Sequence, residues 1–433
     1  MKFIIKGGQS LEGNVTIRGA KNAATKAMIA SLLTDQPVTL RNFPFIGDTD
    51  ITQELCERVG AHITQDRASS AITLHTPTIA RTHVTSLSRR NRLPILALGP
   101  LLARVGKAEV PFLGGDKIGP RPVDLHIKAL EALGARVDVS HDTFTAEAPN
   151  GLSGAHIHFS FPSVGATENA ILAAVLAKGR TVLENAATEP EVVDLIMLLQ
   201  KMGAVIELGA NRTIHIEGVA SLGGAVHALV PDRNEAISFA VLGMATRGKV
   251  RLEGVSQDHL ITFLNVVRKI GGEFEVEPNA ITFFAQRPFT GIELETDTHP
   301  GFMTDWQQPT VVLLTQAKGT SIIHETIYED RFGYVQDLND MGARIVPLTK
   351  CLGELTCRFS KKGHYHSAIV HGPTPLKGST LKVRDLRSGM AHVIAALIAE
   401  GESVIEGVEE IDRGYHDLDG RLKALGANIS RIT

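Results

Sequence analysis

An α/β fold of six repeated units, grouped three and three, is the architecture this chain predicts. Three observations carry it. First, an apolar helix end running into a glycine and then an apolar strand recurs at Val59-Gly60-Ala61, Leu133-Gly134-Ala135, Met202-Gly203-Ala204, Ile270-Gly271-Gly272, Met341-Gly342-Ala343 and Leu425-Gly426-Ala427. Successive glycines lie 74, 69, 68, 71 and 84 residues apart. Second, each copy is preceded by another helix end and strand. These lie at Pro37-Val38-Thr39-Leu40, Gly106-Lys107-Ala108, Gly179-Arg180-Thr181, Gly248-Lys249-Val250, Gly319-Thr320-Ser321 and Gly401-Glu402-Ser403, and only the first lacks its glycine. A fixed period of this kind marks supersecondary units that share a core. Third, 433 residues exceed one ordinary core, so two domains are the default.

The elements follow in order. The chain opens on an alternating strand, Lys2-Phe3-Ile4-Ile5. Each unit then reads helix, strand, loop, helix, strand, hairpin. In the third unit, Thr167 to Lys178 is Ala-rich and helical, with Gly179 as its left-handed stop. Thr181 to Glu184 is a strand, and Val192 to Met202 has mostly helical apolar spacing. Gly203 stops that helix, Ala204 to Leu208 is a strand, and Asn211-Arg212 is the hairpin tip before Thr213 to Ile216. The sixth unit is longest, with extra residues from Cys351 to Pro373. No long linker or low-complexity tract divides the chain, and a cleft between the two groups is the expected place for a site.

Composition excludes several classes. A hydrophobic content of 43% with 21% charge is ordinary globular composition, and the net charge of −3 gives no polybasic surface for nucleic acid or membrane. One Trp and four Tyr are too few for an aromatic base-stacking platform. No apolar run approaches the ~18–20 residues of a membrane span, and no signal-peptide core follows Met1. Cys56, Cys351 and Cys357 read as reduced structural thiols in a cytoplasmic protein. The 17 histidines look scattered, His364 and His366 read as a solvated face, and no metal site is expected. Walker and dinucleotide loops are absent, so no cofactor is expected either.

The most unusual segment runs from Gly114 through Asp116, Lys117, Gly119 and Arg121 to Asp124. Its three glycines permit close backbone approach, and prolines on both sides of Arg121 stiffen the backbone there. Lys117 and Arg121 supply anion-binding charge, and Asp124 sits where it could cap the next helix. A second anion-binding start is Gly19-Ala20-Lys21-Asn22, where Lys21 opens a helix and free backbone N–H groups point outward.

This segment resembles the catalytic loop of the UDP-N-acetylglucosamine enolpyruvyl transferase (1-carboxyvinyltransferase) family. The similarity extends in family order through Gly19-Ala20-Lys21-Asn22-Ala23-Ala24, Ala97-Leu98-Gly99-Pro100, Pro162-Ser163-Val164-Gly165-Ala166-Thr167, Glu184-Asn185-Ala186-Ala187, Pro231-Asp232-Arg233, Thr304-Asp305, Asp385-Leu386-Arg387 and Asp412-Arg413-Gly414-Tyr415. The resemblance implies a two-domain inside-out α/β barrel of six βαβαββ-type units. One domain would span residues 21–230 and the other, discontinuous, 1–20 and 231–433, with the active site in the interdomain cleft. It implies transfer of the enolpyruvyl group of phosphoenolpyruvate to the 3-hydroxyl of UDP-N-acetylglucosamine, the first committed step toward peptidoglycan.

By the same resemblance, Lys21 contacts phosphoenolpyruvate, with Arg92, Arg121, Arg387 and Arg413 as the other cations and Arg331 assisting closure. Asn22, Asp305, Ile327 and Asp385 belong to the substrate contacts. Pro122, Val123, Asp124, Leu125, Ser163, Val164 and Gly165 contact the nucleotide. Asp305 is the candidate base for the sugar hydroxyl, and Lys21 and Arg413 join it in catalysis. Guanidinium groups suit two-point recognition of phosphate and carboxylate.

Two departures stand out. Phe161 occupies the place where the family often has a lysine. Asp116 stands where most members carry a cysteine implicated in proton delivery. A carboxyl can serve as that acid if bound anions raise its pKa. It is a far poorer nucleophile than a thiolate toward the epoxide fosfomycin, so insensitivity to that drug is expected. The loop is expected to close as a lid. The expected partners are the two substrates, with no nucleic acid or membrane, in a monomer or weak homo-oligomer. A catalytically inactive sugar-nucleotide-binding paralogue, or a transferase acting on another alcohol, are the alternatives.

Overall fold

The six recurring glycines end helices as the pattern requires. Gly60, Gly134, Gly203, Gly271, Gly342 and Gly426 all adopt positive φ, between 92° and 127°. A side chain in that region costs about 1 kcal/mol or more, which explains the residue type. The second series holds in four units, where Gly106, Gly179, Gly319 and Gly401 are also at positive φ. In the fourth unit Arg247 takes that conformation instead, at φ 57°. Gly248 then serves close packing, since a Cβ there would lie 1.9 Å from the Leu11 carbonyl oxygen.

The computed structural model describes residues 1–432 apart from 89, 90, 113, 115–121, 141 and 356. Among the described residues the strands form six small sheets, five of four strands and one of three. Each follows one plan. Gly319–His324 is representative: it pairs parallel with Glu293–Glu295 and antiparallel with Ser367–Gly372, which pairs antiparallel with Arg344–Leu348. The three-stranded sheet of Lys107–Pro111, Thr143–Glu147 and Arg136–Val139 is completed by one parallel bridge from His83 to Glu109.

One sheet closes the chain on itself. Lys2–Lys6 lies antiparallel between Glu402–Glu406 and Asn428–Ile432, in the place a hairpin return strand fills elsewhere. Its alternating burial matches the alternating sequence.

The chain divides into two units. One contains Met1–Arg18 and Pro231–Thr433, the other Gly19–Gly115 and Pro122–Val230. Each has its own apolar core. In the first unit the core is helical at its centre. All thirteen residues of Arg233–Ala245 and all eight of Gln307–Leu314 are buried, and both helices pack against Leu386–Ile398. Each buried Phe or Leu there is worth about 1.5–3 kcal/mol of transfer free energy. In the second unit, Leu98–Val105 packs on Val164–Ala174, and Lys21–Ala30 packs on Gly47–Val59 and Pro190–Lys201. Among the described residues, no helix is long and apolar enough to cross a membrane.

The third unit departs from expectation at one point. Its first helix is Val164–Ala174 and stops short of Lys178. The Lys178 N–H donates to the Leu152 carbonyl and its own carbonyl accepts from Gly154 N, so the chain has already turned into a sheet bridge. Pro190–Lys201, Val205–Leu208 and Ile214–Glu217 fall where the spacing places them. Asn211 and Arg212 both have positive φ, the requirement of a tight hairpin turn.

Candidate active site

The buried helices place chemistry at their N-terminal ends. Lys21 is the first residue of Lys21–Ala30, Ser163 caps Val164–Ala174, and Asp305 lies in the 3-10 turn that leads into Gln307–Leu314. Arg387 is the second residue of Leu386–Ile398. A helix N-terminus offers unpaired N–H groups and a positive dipole end, so anions are favoured there.

In the unit containing residues 231–433, Asp305 is the hub. Its Oδ1 accepts from Arg331 Nη2 at 2.5 Å and its Oδ2 accepts from Arg387 Nε at 3.1 Å. Asn234 Nδ2 donates to Oδ2 at 3.4 Å, and Asn234 is itself held by the Trp306 indole at 2.9 Å. Both guanidiniums are almost fully buried. Burial is the largest influence and opposes their charge, but Asp305 together with the other acidic groups around them more than offsets it, and both are pushed above the ordinary arginine value. Arg387 Nη1 also donates to the Tyr415 hydroxyl at 3.2 Å, and Tyr415 shares a 2.8 Å hydrogen bond with Ser238.

A second carboxylate lies one layer behind. Glu325 is buried, and it accepts from the Ile327 and Tyr328 N–H groups, the Thr304 hydroxyl and the Gln307 amide. Burial raises its pKa, with Arg331 opposing. Glu325 thus fixes the turn that carries Ile327 and Arg331.

Two expected contact residues have structural duties. Asp385 caps Leu386–Ile398, accepting from Arg387 N at 3.0 Å and Ser388 N at 3.1 Å. Arg413 Nη1 donates to Glu410 Oε2 at 2.8 Å.

In the unit containing residues 19–230, Lys21 Nζ pairs with Asp48 Oδ2 at 2.7 Å, and both side chains are largely buried. Asn22 follows on the same helix turn, half-buried. Ser163 accepts from Ala166 N at 3.4 Å. At Gly165 a Cβ would sit 3.0 Å from His126 Cε1, so glycine admits the imidazole. His126 is buried, and burial, aided by the nearby charge of Arg92, drives its pKa down to about 3. The ring is therefore neutral at pH 7. Asn169 Nδ2 donates to its Nδ1 at 3.3 Å. Arg92, His126, Ser163 and Gly165 thus belong to one neighbourhood.

Glu168 is buried beside Lys26 at 3.6 Å. Burial raises its pKa to about 7, with Lys26 opposing and Glu191 and Glu189 reinforcing.

Asp124 is not the cap of its helix: Val123 is the N-cap, and Asp124 is an exposed first-turn acid 3.4 Å from Lys128. Pro122 is exposed, whereas Val123 and Leu125 are half-buried. Asp116, Lys117 and Arg121, with the lid expected of them, lie outside the described residues. The preceding Gly114 is tied by its N–H to the Asn91 carbonyl at 3.0 Å.

Sequence reasoning missed Asp48, His126, Asn234, Glu325 and Tyr415. Tyr415 ends the Asp412-Arg413-Gly414-Tyr415 motif, whereas the others carry no local signal. The solvated reading of His366 is corrected: it is fully buried. The expectation of no metal site also overlooked a grouping of His324, Cys351, Cys357 and His366, whose donor atoms lie within 4.8 Å of one another.

The fold and the anion-facing helix starts define an enolpyruvyl-transferase type of protein, and comparison with known proteins agrees. The sequence profile of EPSP synthase (3-phosphoshikimate 1-carboxyvinyltransferase) matches residues 5–422. The structure of the enolpyruvyl transferase NikO from Streptomyces tendae superposes with a TM-score of 0.86 at 23% identity, covering 99% of this chain and 98% of that one. EPSP synthase from Acinetobacter baumannii superposes with a TM-score of 0.71 at 18% identity, over 99% and 100%.

Relatives named UDP-N-acetylglucosamine 1-carboxyvinyltransferase are nearer in sequence. The protein of Protochlamydia amoebophila is 48% identical over 99% of this chain and 94% of its own length. That of Chlamydia pneumoniae is 48% identical over 97% and 92%. The Staphylococcus aureus protein of that name numbered 1 is 39% identical over 100% and 99%. The chain belongs to the UDP-N-acetylglucosamine 1-carboxyvinyltransferase family.

Proposed function

We propose that this chain transfers the enolpyruvyl group of phosphoenolpyruvate to the 3-hydroxyl of UDP-N-acetylglucosamine, releasing phosphate, in the cytoplasm. The observation that carries the reading is the clamping of Asp305 by Arg331 and Arg387 at the N-terminal ends of buried helices, in a chain related over nearly its whole length to proteins of that name.

The sugar oxygen attacks C2 of phosphoenolpyruvate while its proton passes to a base and C3 gains a proton. The resulting tetrahedral adduct then loses phosphate from C2 and a proton from C3, restoring the double bond. Asp305 is proposed as the hydroxyl's base. Its two oxygens accept hydrogen bonds from the Arg331 and Arg387 guanidiniums. An incoming phosphate or carboxylate competes for those arginines and frees the Asp305 lone pairs. Binding of one substrate thereby prepares the base for the other.

Lys21, Arg92, Arg121, Arg387 and Arg413 are proposed to hold the phosphate and carboxylate, with Arg331 assisting. Fixed cations both orient the reactants and stabilise charge that develops in the transition state. Asn22, Pro122, Val123, Asp124, Leu125, Ser163, Val164, Gly165 and Ile327 are proposed to bind the sugar nucleotide. Asp385 is proposed to act through Arg387, whose helix it caps. Asp116 is proposed as the acid for C3, and fosfomycin insensitivity follows from it. A monomer or weak homo-oligomer suffices.

The test is phosphate release from phosphoenolpyruvate. Release that requires UDP-N-acetylglucosamine, and is lost in Asp305→Ala, supports the reading. Release with no sugar-nucleotide dependence, or binding with no turnover, overturns it.

A further inference from the structure

The long connection between Arg344–Leu348 and Ser367–Gly372 gathers four metal-binding side chains at one end of their sheet. The equivalent hairpin in the first unit, His62–Asp66 to Ala71–His75, turns within residues 67–70, whereas this connection spans 349–366. Connections of that length without strands or helices of their own usually carry function or an anchor. Cys351 and Cys357 lie on it, His366 lies at its end, and His324 ends the adjacent strand, where it pairs with Ser367.

We propose that His324, Cys351, Cys357 and His366 bind one zinc ion in a closed tetrahedral site that anchors this connection.

The donor set fits on four counts. The donor atoms all lie within 4.8 Å of one another. A zinc tetrahedron with bonds of about 2.0–2.3 Å has edges of about 3.3–3.8 Å, so only a small contraction closes it. Cys351 Sγ and His366 Nε2 are already 3.2 Å apart.

Both imidazoles are set to present Nε2. The His324 Nδ1 lies 2.8 Å from Glu295 Oε2, and its buried Nε2 has no hydrogen-bond partner. The His366 Nδ1 lies 2.7 Å from the His364 carbonyl, so Nδ1 carries the proton and Nε2 keeps its lone pair. A carboxylate or carbonyl behind a ligating histidine is the usual support of a zinc site.

The surroundings are built around the cluster. Glu295 also accepts from the N–H groups of Glu354 at 2.7 Å and Leu355 at 3.0 Å, which pins the connection against the same carboxylate that orients His324. Both histidines are fully buried, and the two cysteines are half-buried, which leaves a path for the ion.

Charge balances as well. Two thiolates neutralise the divalent ion, and binding releases the two thiol protons. With four protein donors no coordination position remains for substrate, so the role is structural. Its reach extends to the candidate active site, because Arg358, on the same connection, donates to the Ile327 carbonyl at 2.6 Å.

The experiment uses the full chain, prepared without a histidine tag or chelator, and elemental analysis after dialysis. One equivalent of zinc per chain is expected. Cobalt(II) in its place should give the intense visible bands of a tetrahedral thiolate complex. Cys351→Ser and Cys357→Ser should each lose most of the metal, whereas Cys56→Ser should retain it. If those two variants fail to fold, an organomercurial titration of the wild-type protein serves instead, with one zinc released per two thiols blocked. Wild-type protein that holds less than a tenth of an equivalent after incubation with zinc overturns the proposal. So does an intact mass two hydrogens lighter, which marks a Cys351–Cys357 disulfide. Equal zinc in the Cys56→Ser, Cys351→Ser and Cys357→Ser variants would show an adventitious ion only.

Discussion

Arg387 Nε donates to Asp305 Oδ2 at 3.1 Å, joining two side chains 82 residues apart at the starts of neighbouring helices. Arg331 holds the other oxygen, so one carboxylate is shared by two nearly buried cations. Removing it leaves both charges in a poorly solvated place. Loss of one partner from a buried ion pair costs about 3–5 kcal/mol. Asp305→Ala is therefore expected to lose stability of that order in urea denaturation. Its turnover should also fall by about 10²–10⁴, the usual contribution of a general base. Asp305→Asn keeps the shape and should recover part of the stability with little of the turnover. If Asp305→Asn turns over normally, the base assignment is wrong.

Asp48 makes a subtler prediction. Its ion pair with Lys21 at 2.7 Å fixes a lysine that would otherwise sample many rotamers. Asp48→Asn is expected to raise the KM for phosphoenolpyruvate by about tenfold while changing kcat much less, as loss of preorganisation does. A kcat loss with unchanged KM would instead make Asp48 part of the chemical step.

His126 gives a pH signature. Its pKa lies near 3 in the folded chain and about 6.5 when unfolded. Between those values the unfolded state binds the extra proton, so stability rises with pH. The contribution is present above about pH 6.5 and is lost progressively as pH falls toward 3. His126→Gln should flatten the acid limb of the stability-versus-pH curve measured by urea unfolding. Gly165→Ala, whose methyl would press on the same ring, should destabilise by about 1–3 kcal/mol with the pH slope retained.

Much of this was legible because repetition is a sequence property. The glycines at 60, 134, 203, 271, 342 and 426 announce positive φ at helix ends, and all six adopt it. Periodicity also located the third unit's later elements from Pro190–Lys201 onward. It misplaced the end of Val164–Ala174, because Lys178 pairs with backbone from another segment, and such pairing leaves no trace in local propensity.

The candidate-site residues divide the same way. Lys21, Asp305 and Arg387 were visible through motifs at helix starts. Asp48 and Glu325 were not, because a carboxylate that matters through a partner brought close by folding resembles any other acid in the chain. The histidine–cysteine group escaped for a related reason. Its donors sit at 324, 351, 357 and 366, a spacing that matches no compact metal motif.

The loop carrying Asp116 makes the sharpest chemical prediction. The carbons of an epoxide are opened readily by a thiolate and poorly by a carboxylate. Wild-type protein incubated with fosfomycin should therefore keep its intact mass and its phosphate release. Asp116→Cys restores the soft nucleophile and should gain one drug mass, with activity falling in step. Asp116→Ala should lower turnover by about 10²–10⁴ if the carboxyl delivers the proton to C3. Wild type and the two variants separate the two roles. Proton delivery is tested by Ala alone, and nucleophilicity by the contrast between Asp and Cys. A fosfomycin adduct on wild-type Asp116 would show that the carboxylate is nucleophilic enough to be trapped, and insensitivity would then need another cause. Near-normal turnover in Asp116→Ala would move the acid to another group, and Lys21 is the first candidate because an ammonium can donate the proton.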